Sequence, residues 1–243
     1  MLRTQTLKYE EIARANADDV IAVLQTLSEA EWDAQSLCEG WNVRHVVGHL
    51  IFGLTETAPR MVGAVRVDRF DQDRLLSRRA REIGDGCSSV ALVERYVAAS
   101  STAWPRRVAG RLPMALAAAD TSVHLLDICL PLHRESGLDA CRLAAVLDIL
   151  VDWNVCGARS RAAGLQLVAT DIDWQRGTGP EACGSADRLI LSLTGRRGFL
   201  HELSGSGVDL WASRSCTQER AAFGRAADAL RVARPTSDIG APC

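Results

Sequence analysis

Lysine is all but missing from this chain of 243 residues: Lys8 stands alone, and arginine supplies every other fixed positive side chain. Charge of one sign is also lacking. The formal net charge is only −2, and the arginines are scattered among acids, so there is no electrostatic footprint for nucleic acid. No apolar run approaches the ~20 residues that span a bilayer, which argues against a membrane protein. The first eleven residues lack the continuous apolar core of a signal peptide, so a cytoplasmic location is expected. Internal repeats and low-complexity tracts are absent. So is any C-x-x-C pair: the eight cysteines, Cys38, Cys87, Cys129, Cys141, Cys156, Cys183, Cys216 and Cys243, are dispersed. That placement argues against a disulfide framework, and it leaves reduced, mostly buried thiols as the expectation.

What is present is an ordinary globular balance, with 47% hydrophobic and 24% charged residues. The length suffices for one large domain or two small ones. The first two-thirds reads as helix after helix. Ala13, Ala17, Val20, Leu24 and Leu27 form one helical stripe over ~8–29. Asn42 is placed to cap a second helix, whose apolar face is Val43, Val46, Val47, Leu50 and Leu54. Residues ~66–88 read as a charged connector ending in Gly84-Asp85-Gly86, with room for a short helix. A third helix runs from Ser88 or Ser89 to about Arg107, a fourth from near Pro113 to about His133, and a fifth over ~139–162. Short links between amphipathic helices predict an antiparallel bundle. From Gly164 the texture changes: Leu165 to Thr170 alternates as a strand, a Gly177-Thr178-Gly179-Pro180 turn follows, and Ser185 to Leu193 is a short apolar helix. The expected division is therefore a helical bundle over 1–163, a small α+β domain over 164–215, and a C-terminal extension over 216–243, partly helical and then frayed.

The fourth helix carries the chemistry. Asp120, His124 and Asp127 fall within about 60° of one another at 100° per residue, while the rest of that helix is apolar nearly all round. Such a helix is buried, and buried carboxylates and imidazoles are costly unless paired or metal-bound. Asp-x-x-x-His suits a metal site inside a bundle, and it equally suits a hydrogen-bonded Asp–His pair. His49, at the flank of the second helix's stripe, can reach a neighbouring helix. Two imidazoles and one carboxylate leave positions open, as in catalytic metal sites. His45 points almost opposite the apolar stripe and is expected to be exposed. His133 and His201 lack any such context. Cys129 lies well off the ligand stripe and is expected to pack.

Three blocks together resemble a known family. Gly40-Trp41-Asn42-Val43-Arg44 with His49-Leu50, the Asp120-to-Asp127 stretch, and the Gly177–Pro180, Gly184–Asp187 and Thr194–Arg196 segments are similar to the mycothiol-dependent maleylpyruvate isomerases, DinB-like metal enzymes. The resemblance covers roughly 8–212. It implies a mainly α fold, a DinB-like antiparallel four-helix bundle with a small C-terminal α+β domain. It also implies metal ligands at His49, Asp120 and His124, with aspartate standing where the family carries glutamate. The implied cofactors are a divalent metal, zinc foremost, and mycothiol as cosubstrate. Coordination would deprotonate the thiol, and the thiolate would add reversibly to an unsaturated acid, isomerising it, or be transferred to an electrophile. Mycothiol is an actinobacterial thiol, which agrees with the arginine-for-lysine bias of a GC-rich genome. Asp127 can orient His124, bind substrate, or make a helix–helix hydrogen bond. Arg196 can bind a carboxylate of the substrate or thiol, or cap the preceding helix. The same ligand set leaves open a metal-dependent hydrolase using bound water, or a non-catalytic binding module with a vestigial site.

Overall fold

The computed structural model describes residues 2–55, 72–106 and 111–215. The expected C-terminal extension, with Cys216 and Cys243, lies outside them. Helix α1 is Leu2–Leu24, and after a turn the four-residue α2, Glu29–Trp32, starts at a reciprocal cap. There the Ser28 hydroxyl accepts from the Glu31 amide while the Glu31 carboxylate accepts from the Ser28 amide at 2.8 Å. Helix α3, Val43–Thr55, begins with the same device, with a histidine in the usual glutamate place. Asn42 Oδ1 accepts from the His45 amide at 3.1 Å, and His45 Nδ1 accepts from the Asn42 amide at 3.3 Å.

The segment expected to be a connector is instead a 14-residue helix, α4, Gln72–Asp85. It lies flat on α3 because the contact is made by glycines. A Cβ on Gly48 would sit 2.3 Å from the Ala80 carbonyl oxygen, and one on Gly84 would sit 2.8 Å from the Arg44 carbonyl oxygen. This packing overturns the expected exposure of His45. Only 7% of that residue is exposed, and its Nε2 lies 2.8 Å from Asp85 Oδ1. The apolar stripe of α3 carries no sign of the charged helix that covers its other face.

Helices α5, Ser89–Arg106, and α6, Arg111–Cys129, complete the bundle. Contacts run from α1 to α6, α6 to α3, α3 to α5 and α5 back to α1, so these four helices close a ring around one core. Helix α6 stops four residues short of the expected His133, which takes a left-handed φ of 53° in the turn that follows. The fifth expected helix is also interrupted. Helix α7 is Ala140–Asp152, capped by Asp139, whose carboxylate accepts from the Arg142 amide. Left-handed Asn154 and Cys156 then break the run into a 3-10 turn, Val155–Gly157, and the short α8, Ala158–Ala162.

Beyond α8 the chain forms a three-stranded sheet. Strand β1 is Gln166–Ala169, β2 is Gln175–Gly177 and β3 is Glu181–Gly184, in the order β2-β1-β3. The β1–β2 pair is antiparallel and β1–β3 parallel, with Leu167 opposite Arg176 and Ala182. Leu167 and Ala169 turn inward, as the alternation predicts. Helix α9, Ala186–Leu193, packs on α7 and also touches α6; a 3-10 turn over Arg197–Glu202 and helix α10, Val208–Ser215, close the described chain. Buried residues of the bundle and of this sheet region, from Ile12 to Trp211, form one continuous cluster. No helix among the described residues is long and apolar enough to cross a membrane. The fold is thus mainly helical, with a small α+β part near the C-terminus.

Candidate metal centre

Helix α3 delivers His49 and α6 delivers Asp120 and His124 to one point. His49 Nε2 and His124 Nε2 each lie 3.5 Å from the same oxygen, Asp120 Oδ1. All three donor atoms fall within 4.8 Å of one another. At 3.5 Å these contacts are too long for strong hydrogen bonds. They match the ligand-to-ligand edge of a tetrahedral site, which is about 3.4 Å for bonds of about 2.1 Å. The donor set therefore fits a divalent ion. The two imidazoles are nearly enclosed, with 12% and 10% of the side chains exposed, whereas Asp120 is 45% exposed. Access to the centre is from the aspartate side.

The two imidazoles are held differently. His124 Nδ1 lies 2.9 Å from Asp127 Oδ2, so the carboxylate fixes the ring with Nε2 turned toward Asp120. Asp127 is fully buried and is itself gripped by Arg196. Arg196 Nε donates to Oδ1 at 3.0 Å and Nη2 to Oδ2 at 2.5 Å, a two-pronged pair. His49 Nδ1, in contrast, is buried without a hydrogen-bond partner.

Arg196 reaches the bundle because α9 ends in a sharp turn at Gly195, whose φ of 95° suits glycine. Of the two roles expected of Arg196, the geometry shows the helix cap, and its remaining nitrogens hold a carboxylate of the chain itself. Its Nη1 donates to the Thr194 carbonyl at 3.1 Å, capping the helix end, while the other two nitrogens hold Asp127.

The electrostatics follow from this arrangement. Burial pushes the Asp127 carboxyl up, but Arg196 and His124 outweigh it and bring it down to about 2. Burial works against charge on His124, yet the facing Asp120 carboxylate, with Asp127 and Cys38, raises it well above the ordinary imidazole range. Desolvation likewise opposes charge on Asp120, and the two imidazoles overcome it and hold the carboxyl well down. The attraction that retains a proton among these donors also favours a cation there.

Sequence reasoning missed Cys38. Its Sγ lies 3.1 Å from Asp127 Oδ2, 3.4 Å from Arg196 Nη2 and 3.7 Å from His124 Nδ1. No spacing signal could have found it, because the loop before α3 is brought to α6 by long-range contacts, among them the Leu37 amide donating to the Asp127 carbonyl at 3.1 Å. Cys38, His124 and Asp127 also form a donor triplet, using the opposite face of His124. There, however, the guanidinium of Arg196 already supplies the positive charge. The set around Asp120 is left as the candidate for a metal.

The other cysteines correct an expectation. The six described are free thiols, but only Cys129 is buried; Cys141 is exposed and the rest are half-buried. Burial pushes the Cys129 thiol up to about 11, in keeping with a packing role.

The carboxylate at position 120 yields a direct test. Asp120→Ala is expected to weaken metal binding more than about tenfold. Asp120→Glu should retain it, because the half-exposed arm has room to fold its extra methylene. Metal titration against a chromogenic chelator decides this, and an alanine variant that binds like the parent would show Asp120 to be structural.

Residues 13–129 match the family described as the mycothiol maleylpyruvate isomerase N-terminal domain. Two solved structures are similar in fold, the mycothiol-dependent maleylpyruvate isomerase with a TM-score of 0.55 and a histidine-to-alanine mutant of it with 0.54. Each is 15% identical to this chain and covers 83% of it and 92% of the other chain. No match was found among curated protein sequences. The matched stretch, residues 13–129, is the part of the chain that carries His49, Asp120 and His124, and it is similar to the mycothiol maleylpyruvate isomerase N-terminal domain.

Proposed function

We propose that this chain is a divalent-metal enzyme that uses mycothiol, or a closely related small thiol, on an unsaturated or electrophilic small molecule. The product is either the cis–trans isomer of a maleylpyruvate-like acid or a thiol adduct. The observation that carries the reading is the convergence of His49, Asp120 and His124, with donor atoms within 4.8 Å of one another and both imidazole nitrogens 3.5 Å from one carboxylate oxygen. Those three side chains would hold the ion, with zinc the first choice for two imidazoles and a carboxylate. A divalent ion there supplies Lewis acidity, which favours the thiolate over the thiol.

The chain's own residues do the rest. Asp127 accepts the Nδ1 hydrogen of His124 and so keeps Nε2 as the donor. Arg196 neutralises Asp127 and fixes its orientation. Because Nε and Nη2 of Arg196 are committed to Asp127 and Nη1 to Thr194, we assign it a positioning role rather than the gripping of a substrate carboxylate. The near-complete enclosure of the imidazoles limits water on that side, while the exposed flank of Asp120 is the side from which thiol and substrate would enter.

The test is an assay of metal-loaded protein with an unsaturated dicarboxylic or keto acid, with and without mycothiol, alongside calorimetric titration of the thiol alone. Isomer formed with the thiol unconsumed indicates an isomerase, and stoichiometric thiol loss to an adduct indicates a transferase. Turnover with metal but no thiol would make the chain a hydrolase using bound water. Failure of any small thiol to bind the metal-loaded protein would overturn the proposal.

A further inference from the structure

We infer that Trp41 is the positioning residue for His49, its indole holding the imidazole so that Nε2 faces the metal donors. The inference rests on the reading of His49, Asp120 and His124 as metal ligands. A histidine ring turns about a soft, roughly two-fold torsion, so a ligand imidazole needs something to fix it. For His124 that is Asp127, through a hydrogen bond of 2.9 Å. For His49 there is no counterpart, because its Nδ1 is buried with no hydrogen-bond partner.

What His49 has is an aromatic neighbour. The indole of Trp41 lies 5.4 Å from the His49 ring, tilted by 45°. It also lies 6.5 Å from the His124 ring, nearly parallel to it at 27°. The two imidazoles meet edge to face, 4.7 Å apart, so the three rings brace one another. An indole face offers an N–H only a weak acceptor, and the restraint on His49 is therefore mainly one of shape.

The loop carrying Trp41 is clamped well enough to serve this purpose. The Trp41 carbonyl accepts from the Ser36 amide at 3.0 Å, the Ser36 hydroxyl at 2.7 Å and Gln35 Nε2 at 2.7 Å. Its amide donates to the Cys38 carbonyl at 3.0 Å. Immediately before it, the Gly40 carbonyl accepts from Arg81 of α4 at 2.7 Å. Three residues of the loop, with Arg81 from a neighbouring helix, thus fix the backbone from which the indole projects.

Replacing Trp41 separates a flat restraining face from mere bulk. Trp41→Phe keeps an aromatic wall, whereas Trp41→Leu keeps apolar volume without one. We expect Trp41→Leu to lower metal affinity about tenfold or more and Trp41→Phe by no more than about threefold, by analogy with loss of a hydrogen-bonding partner of a ligand histidine. The visible spectrum of the cobalt-loaded protein should change in Trp41→Leu and stay close to the parent's in Trp41→Phe. Trp41→Met repeats the test should the leucine variant not fold, and the same two criteria decide it. Parent-like affinity and cobalt spectrum in the leucine or methionine variant would overturn the positioning role while leaving the metal reading intact. A parent protein that binds neither zinc nor cobalt would overturn the metal reading, and the role of Trp41 with it.

Discussion

His124→Ala is expected to purify essentially without metal, while His49→Ala should still bind, though more weakly. The two variants remove the same chemical group from the same candidate centre, and they differ in what stands behind it. His124 donates through Nδ1 to a buried carboxylate that is itself neutralised by Arg196, and a carboxylate-backed imidazole is a stronger, better oriented ligand. His49 has no hydrogen-bond partner behind its Nδ1, and ring contacts with Trp41 and His124 take that place. Loss of such backing partners alone typically costs about 10–100-fold in affinity, so removal of His124 should exceed about 100-fold. For His49→Ala a smaller loss is expected, since Asp120 and the anchored His124 remain. Elemental analysis together with chelator competition reads both numbers. Equal metal content in the parent and both variants would remove this centre from consideration.

Arg196→Met is expected to destabilise the fold by about 3–5 kcal/mol, because it leaves a fully buried carboxylate without its cation. Urea unfolding followed by circular dichroism measures this. The double variant Asp127→Asn with Arg196→Met should lose less than the two single losses added together, since the uncompensated charge is gone. A loss below about 1 kcal/mol in Arg196→Met would place the pair in the class of solvent-screened surface bridges. Acid has a related effect. The folded carboxyl of Asp127 titrates at about 2, while an unfolded aspartate titrates near ~4. The stability it contributes is therefore fully present above pH ~4 and disappears as the pH falls through about 2. Asp127→Asn should flatten the stability profile in that window and leave it unchanged in shape above it.

Position along a helix was legible without coordinates. Asp120, His124 and Asp127 share a face because four- and seven-residue steps nearly close whole turns, and that geometry is local. The cap at Asn42 was legible for the same reason, although the residue completing it, His45, was not, since histidine is an unusual partner for that role. The strand at Gln166–Ala169 was visible in its alternation, but its two partners were not. Strand β2 is only three exposed residues, with no pattern to read.

What stayed hidden depends on which distant segments pack together. His45 is buried because glycines at 48 and 84 let α4 lie close on α3, and nothing in the stripe of α3 announces a charged neighbour. Arg196 meets Asp127 across 69 positions of chain, and Cys38 meets it across 89. The amino-acid sequence by itself determined the helical periods, the caps and the identity of the donor side chains, since those follow from backbone geometry over a few residues. Only the tertiary structure decided which imidazole is backed by a carboxylate and which by an indole. That choice is made by loops and helix ends from three separate parts of the chain, whose meeting depends on burying one shared core.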